Sequence, residues 1–449
     1  MSDLLDTGHL LEQGRRLVAA ALKAGADAAD VMAVRGVSVG VQLREGKVES
    51  SERSEGDDVG LRVFVGRRSA SVSSNDPRED VVALAERAVA IARVAPEDPF
   101  ARLADPADLA RDWADLDLID PVMTAVADLE DLARRAESAA LAVKGVTRSG
   151  GADAGAGIGG FALVTSTGFE GATLGSSTSF SVTAIAGEGT GMERDYDYSG
   201  VRHRADLEDP EAIGRSAGER AVRRLNPRKV DTRKVPVIFD QRTAASFPSY
   251  LAAAANGQSV ARKTSFLREK LGQRLFRPGV MIIDDPLRRR GLRSRPFDGE
   301  GVAARPLTLV EDGVLTSWLL DSATAAELGL RTTGHASRGT GGPPSPGATN
   351  LHLAAGTVSP AEMIGAIKDG LYVTDMIGSG VNMVTGDYSR GCSGYWIENG
   401  ELAYPVAEIT IAGNLVDMFA SLTPANDLVF RRGTDAPTVL VEGLTVAGR

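Results

Sequence analysis

The 449-residue chain has one cysteine, Cys392, and only four histidines: His9, His203, His335 and His352. A single thiol excludes an internal disulfide, and a chain without cysteine pairs suits a reducing compartment. No two histidines stand at a spacing that sets both on one helix face, and H-E-x-x-H is absent, so the material for a helix-borne metal centre is missing. Aromatics make up 5% of residues, and the apolar mass is mostly Ala, Val and Leu. No window approaches 18 unbroken apolar residues, which excludes a membrane-spanning helix. The opening MSDLLDTGHLLEQGRR places acids ahead of its apolar residues and has no signal-like apolar core. Basic excess is also lacking. The formal charge is −10, and an acidic body repels phosphate backbones. The expectation is a cytoplasmic protein, with neither nucleic acid nor membrane as partner.

Glycine, by contrast, is abundant at 51 residues, concentrated between 150 and 200 and after 330. That pattern points to turns and bulges in β-rich regions. Leu10, Leu11, Gly14, Leu17, Val18, Ala21 and Leu22 follow helical spacing. Val37, Val39, Val41 and Leu43 then alternate, EGK turns, and Val59, Leu61, Val63 and Val65 alternate again. A helix is expected from about Pro77 to Arg93. After a Pro- and Asp-rich connection over 94–120, a second round follows: a helix from Pro121 to about Lys144, strands to about residue 200, and the helix DPEAIGRSAGERAVRRLN. The reading is an α+β fold. Residues 1–230 form an N-terminal α/β-sandwich domain with an internal helix-strands-helix pseudo-repeat. Residues 231–449 form a mainly antiparallel β domain, a curled sheet or partial barrel with a few helices. In it, RKVPVIFD reads as a buried strand, an Ala-rich helix spans Arg242 to Asn256, and TSFLREKLG is a short helix. The Gly/Pro-rich segment from Thr333 to Asn350 reads as a long loop.

Few motifs survive inspection. GAGIGG, Gly155 to Gly160, matches G-x-G-x-x-G in letters, but a strand-like FALVTSTG follows where a dinucleotide site needs a helix. It reads as a glycine turn. A zinc site from His335, His352 and Cys392 is conceivable, but sequence alone cannot assemble it. Cys392 follows Arg390, which could acidify a thiol, yet no histidine base lies nearby. In DDPLRRRGLRSRPFDGEG, the arginines could clamp an anion or serve an interface; the simpler reading pairs them with Asp284, Asp285, Asp298 and Glu300.

The segments ARKTSFLREKLGQ, RGLRSRPFDGEGV, DGVLTSWLLDSATAAELGL, TTGHASRG, GDYSRGCSGYWIENGELAYPV and EITIAGNL together resemble the TldD/PmbA family, once called modulators of DNA gyrase, on its PmbA/TldE side. The resemblance is strong over 231–449 and looser upstream. It implies a heteromeric peptidase acting on unstructured peptides. In that scheme a TldD-type subunit carries zinc on a His-Glu-x-x-x-His helix, and the PmbA/TldE-type subunit lacks that motif. Here the helix after VPVIFD reads QRTAASFPSYLAAAANGQS, with no histidine or glutamate. The resemblance therefore implies no catalytic residue and no metal in this chain, zinc in a TldD-type partner, and a possible homodimer when alone. Within the stretch read as a loop from Gly386 to Gly394 and the strand after it, Asp387, Ser389, Arg390, Cys392, Ser393, Trp396 and Glu398 are candidate substrate- or interface-shaping residues. His335, Arg293 and Arg295 join them. The alternatives are a self-sufficient hydrolase using Cys392 or a cryptic metal site, and a homodimeric peptide-binding scaffold.

Overall fold

The alternating segments of the first half form one antiparallel sheet of unusually long strands. In this computed structural model, which describes residues 6–76 and 80–448, they are β1 (Ala28–Arg44), β2 (Lys47–Val65), β3 (Arg68–Ser74), β4 (Val146–Thr165), β5 (Glu170–Ala186) and β6 (Glu193–Val201). Their order is β3-β2-β1-β4-β5-β6. Four amphipathic helices cover one face: α1 (Gly8–Lys23), α2 (Val81–Val94), α3 (Val126–Leu141) and α4 (Pro210–Arg223). Leu17, Leu84 and Val89 meet Val31, Leu61 and Val63 in one core, and Leu129, Ala136 and Ile213 meet Leu43, Phe180 and Val182 in a second. Helix, three strands, helix thus occurs twice, joined where β1 pairs with β4.

Several boundaries depart from the periodic reading. The start of the helix expected from Pro77 falls outside the described residues; the observed helix begins at Val81, capped by the Asp80 carboxylate on Val82 N. The helix expected from Pro121 starts only at Val126. Asp120 holds the preceding segment irregular by accepting from Val122 N and Arg204 N. GAGIGG is not a turn but the middle of β4, with Gly155 opposite Gly40 and Gly159 opposite Gly36. At Gly160 a Cβ would lie 1.9 Å from the Thr173 carbonyl on β5. Glycine there serves close strand approach rather than chain reversal.

The second half is built on β7 (Arg233–Phe239), followed by α5 (Gln241–Ala244), α6 (Ser246–Ala254) and α7 (Gly257–Ala261). The expected Ala-rich helix is thus broken between α5 and α6, and TSFLREKLG forms turns instead of a helix. Short strands β8 (Ile282–Asp284), β9 (Leu307–Glu311) and β10 (Val314–Leu315) precede α8 (Ser322–Glu327). The Gly/Pro segment holds a small hairpin, β11 (Ala336–Ser337) with β12 (Ser345–Pro346), and leads to β13 (Leu351–Leu353) and α9 (Pro360–Gly365). Then come β14 (Asp369–Ile377), β15 (Asp387–Glu398), β16 (Glu401–Asn414), α10 (Leu415–Ser421), β17 (Thr423–Pro424), β18 (Thr434–Asp435) and β19 (Val439–Ala447). The main sheet runs β16-β15-β14-β7-β19, and β16 pairs again with β19, so it curls into a small five-stranded barrel. The stretch from Gly386 to Gly394 is therefore mostly strand β15, not a loop. Trp396, Phe239, Leu371 and Ile411 fill the core beside Phe247 and Leu251 of α6.

The seam between the two halves is ionic. Arg289 and Arg290 bind Asp117, and Arg290 also binds Asp206 at 2.9 Å. Arg289 and Arg290 thus pair across the seam, whereas the sequence reading paired them with the acids of their own segment. Arg224 of the first half donates to Ser393 at 2.7 Å and lies 3.4 Å from Asp375. Trp113, Phe161, Phe169 and Phe297 stack edge-on or tilted across the same seam.

Candidate functional site

Strand β15 distributes its polar residues along its length and does not gather them. At its first residues, Asp387 accepts from Thr385 Oγ1 at 2.6 Å, and Ser389 is exposed. Arg390 donates from Nη1 to Tyr250 Oη of α6 at 2.8 Å. Further along, Cys392 is 1% exposed. Burial and Asp375 push its thiol up to about 12, against the opposing pull of Arg390. A thiol so protonated and covered is no nucleophile, which argues against the alternative of a hydrolase using Cys392. Ser393 is spent on Arg224. Trp396 is wholly buried under the Arg233 guanidinium, 4.5 Å from its ring centroid, and Glu398 is exposed at the far hairpin.

The remaining candidates lie elsewhere. His335 is fully buried, its Nε2 3.0 Å from Asp284 Oδ2 and its Nδ1 2.8 Å from the Thr333 carbonyl. Arg295 donates to the Ala336 carbonyl at 2.9 Å, and burial lowers its pKa. Arg293 is exposed beside Gly433, its backbone N–H held by Asn350. His352 packs against Phe430, 5.1 Å between ring centroids. His335, His352 and Cys392 are thus engaged in separate surroundings. Among the described residues, no group of three or more His, Cys, Asp or Glu could hold a metal ion.

Two features escaped the sequence reading. The first is a cavity of about 230 Å³ where α4 meets the start of α5, lined by Arg220, Arg242, Arg431 and Arg432 with Asp240, Asp427 and Asp435. Burial raises the pKa of Asp240 and Asp435. Arg242 is anchored to Asp195 at 2.8 Å, and Arg431 to Glu208 at 2.7 Å. These arginines tie the seam as well as line the space. The second is a buried ionic junction. Asp30 takes Arg62 on one side and Arg338 on the other, at 2.5 and 2.6 Å. The signals were present: Asp30 interrupts AADVMAV and Arg62 interrupts VGLRVFV, charges inside apolar strands that must meet partners.

An α+β chain with a doubled helix-strand-helix sandwich and a small barrel, joined by an ionic seam, defines the architecture. Comparison with known proteins then places it. Family models match residues 29–92 as PmbA/TldA metallopeptidase domain 1, 120–225 as the central domain and 232–448 as the C-terminal domain. The metalloprotease PmbA of Escherichia coli O157:H7 is 38% identical over 94% of this chain and 93% of its own length. The PmbA homolog of Haemophilus influenzae is also 38% identical, over 95% and 94%. A crystal structure of a putative modulator of DNA gyrase from Bacteroides thetaiotaomicron superposes with TM-score 0.90 at 26% identity, over 99% of this chain and 100% of that one. TldE from Thermococcus kodakarensis shares the fold, with TM-score 0.83 at 20% identity over 97% and 99%. The chain belongs to the PmbA/TldD metallopeptidase family.

The family's metal does not fit the residues here. Helix α6 reads SFPSYLAAA, which offers no imidazole or carboxylate. Its least buried positions are Ser249 and Ala253, beside Tyr250 with its bond to Arg390.

Proposed function

We propose that this chain is a non-catalytic subunit of a TldD/TldE-type zinc peptidase of the cytoplasm. It shapes the channel for unstructured peptides beside a TldD-type, zinc-bearing partner. The observation that carries this reading is α6: the helix after β7 offers methyl groups and hydroxyls in a family named for metallopeptidases. Zinc needs nitrogen, sulfur or carboxylate donors at fixed spacing, and an alanine face supplies none. The exposed Ser389 and the paired Arg390 and Tyr250 offer a polar wall along which an extended peptide can lie, held by backbone hydrogen bonds.

The test is co-expression with a TldD-type protein. The expected result is a stable heteromer that cleaves unfolded peptides and holds zinc, while this chain alone is inactive and retains only substoichiometric zinc. An isolated chain that cleaves peptides with one tightly held zinc overturns the proposal.

A further inference from the structure

The cavity where α4 meets the start of α5 has arginines and aspartates in its wall, and the two kinds differ in what they leave free. The aspartates are spent on the protein. Asp427 accepts from Gln241 Nε2 and Thr438 Oγ1 through one oxygen, at 3.0 and 2.8 Å, and from Thr438 N through the other at 2.9 Å. Asp240 Oδ1 accepts from the backbone and hydroxyl of Thr243, and its Oδ2 lies 3.6 Å from Arg242 Nε. Asp435 Oδ1 accepts from Arg431 N and Arg432 N, and its buried Oδ2 lies 4.0 Å from Arg288 Nη2.

The arginines divide in two. Arg242 is held by Asp195, and Arg431 by Asp197 and Glu208; none of these three acids lines the cavity. Arg220, half-buried on α4, makes no hydrogen bond or ion pair among the described residues. Arg432 gives Nε to Tyr198 Oη and Nη1 to the Arg242 carbonyl, both neutral acceptors, and its Nη2 goes to neither. Tyr372 adds a phenol that burial keeps protonated.

What this wall offers a ligand is therefore N–H and O–H donors, with two guanidiniums that lack a carboxylate. Such groups gain most from a charged oxygen acceptor. The space of about 230 Å³ far exceeds the roughly 30 Å³ share of one water molecule, so a polyatomic anion fits. Two unmatched guanidiniums favour an anion of two charges. A phosphate group carries about −1.5 to −2 at neutral pH, whereas a monocarboxylate carries one. Asp427 has no arginine within 4.0 Å and opposes the ligand; its charge weakens the site without taking up the donors.

We propose that this cavity binds a phosphate group, as the free ion or as a monoester, between Arg220 of the first half and Arg432 of the second. A ligand so placed joins the two halves and stabilises the folded chain by mass action. The inference rests on the cavity alone and does not depend on the peptidase reading.

Calorimetric titration and thermal melts of the full chain at constant ionic strength test it, with inorganic phosphate, phosphoserine, succinate and acetate as probes. Phosphate is expected to bind at one site per chain and to raise the melting temperature saturably, while succinate and acetate do neither at the same concentrations. Arg220→Gln and Arg432→Gln should each weaken phosphate binding about tenfold or more. Because Arg220 has no partner, its loss should leave the melting temperature without phosphate unchanged, which separates binding from folding. Arg215→Gln, exposed on the same helix, controls for general charge and should bind as the wild type does. Phosphoserine binding as tightly as phosphate assigns the site to an esterified ligand, and binding of phosphate alone assigns it to the free ion. Unsaturable binding to the wild type, equal binding of succinate, or an Arg220→Gln chain with unchanged phosphate affinity overturns the proposal.

Discussion

Glu300 sits wholly buried, accepting from Ser322 N at 2.8 Å and facing Asp298, Asp321 and Arg62. Burial first, then Asp298, raises its carboxyl to about 8 from an ordinary 4.5. The folded state therefore holds a proton that the unfolded chain releases above pH 4.5. Stability is greatest below that value, falls as pH rises, and levels off above about pH 8. Glu300→Gln keeps an oxygen for Ser322 and removes the ionisation. Thermal melts from pH 4.5 to 9 should show a smaller decline for this variant than for the wild type, with a difference of a few kcal/mol at most. At this scale the sequence was partly legible. The closeness of Arg390 to Cys392 in sequence left a reactive thiol open as an alternative, and it is burial, which no sequence neighbour reveals, that keeps the thiol protonated. Glu300 looked like the partner of an arginine in its own segment, whereas it faces two other acids, Arg62 of β2 and the more distant Arg338.

At the scale of elements, the Gly/Pro segment from Thr333 to Asn350 is tied down. Arg338 reaches Asp30 of β1, and Thr340 donates to Asp58 of β2. Gly60 makes the fit possible: a Cβ there would stand 2.1 Å from the Thr340 carbonyl. Gly60→Ala should lift the segment, and limited proteolysis should then cut between residues 338 and 345 at least several times faster, while the sheet itself stays protected. Unchanged cleavage would show that the contact is dispensable. Periodicity identified the helices and long strands here, because a buried stripe leaves a direct mark on sequence. It failed at α6 and in β4. The break after α5 falls where Pro248 has no N–H to donate to the Ala244 carbonyl four residues back. The glycines of β4 answer to neighbouring strands that no local window contains.

For the molecule as a whole, the two halves meet through buried charge as well as through the aromatic cluster around Phe297. The centre is Asp30 between Arg62 and Arg338, and both Arg338 and Asp30 are at most 1% exposed. Arg338→Met leaves Asp30 with half its compensation and should cost about 3–5 kcal/mol in urea unfolding. Adding Asp30→Asn should recover part of that loss, because it removes the uncompensated charge. Additive losses would mean that the two residues act separately. This seam was the least legible feature, since it joins residue 30 to residue 338 and no pattern in either segment names the other. What the sequence did disclose was that charges inside apolar strands needed an answer somewhere.

The barrel's closure bears on how the chain is made. Its first strand, β7, lies between β14 and β19, so its partners emerge from the ribosome long after it does. β19, which ends at Ala447, supplies the final pairing. During synthesis β7 waits about 130 residues for β14 on one flank and about 200 for β19 on the other. The barrel consequently cannot close before Val439 and the residues after it are made, and a nascent chain stalled before that point presents a half-finished structure to the quality-control machinery of the cell.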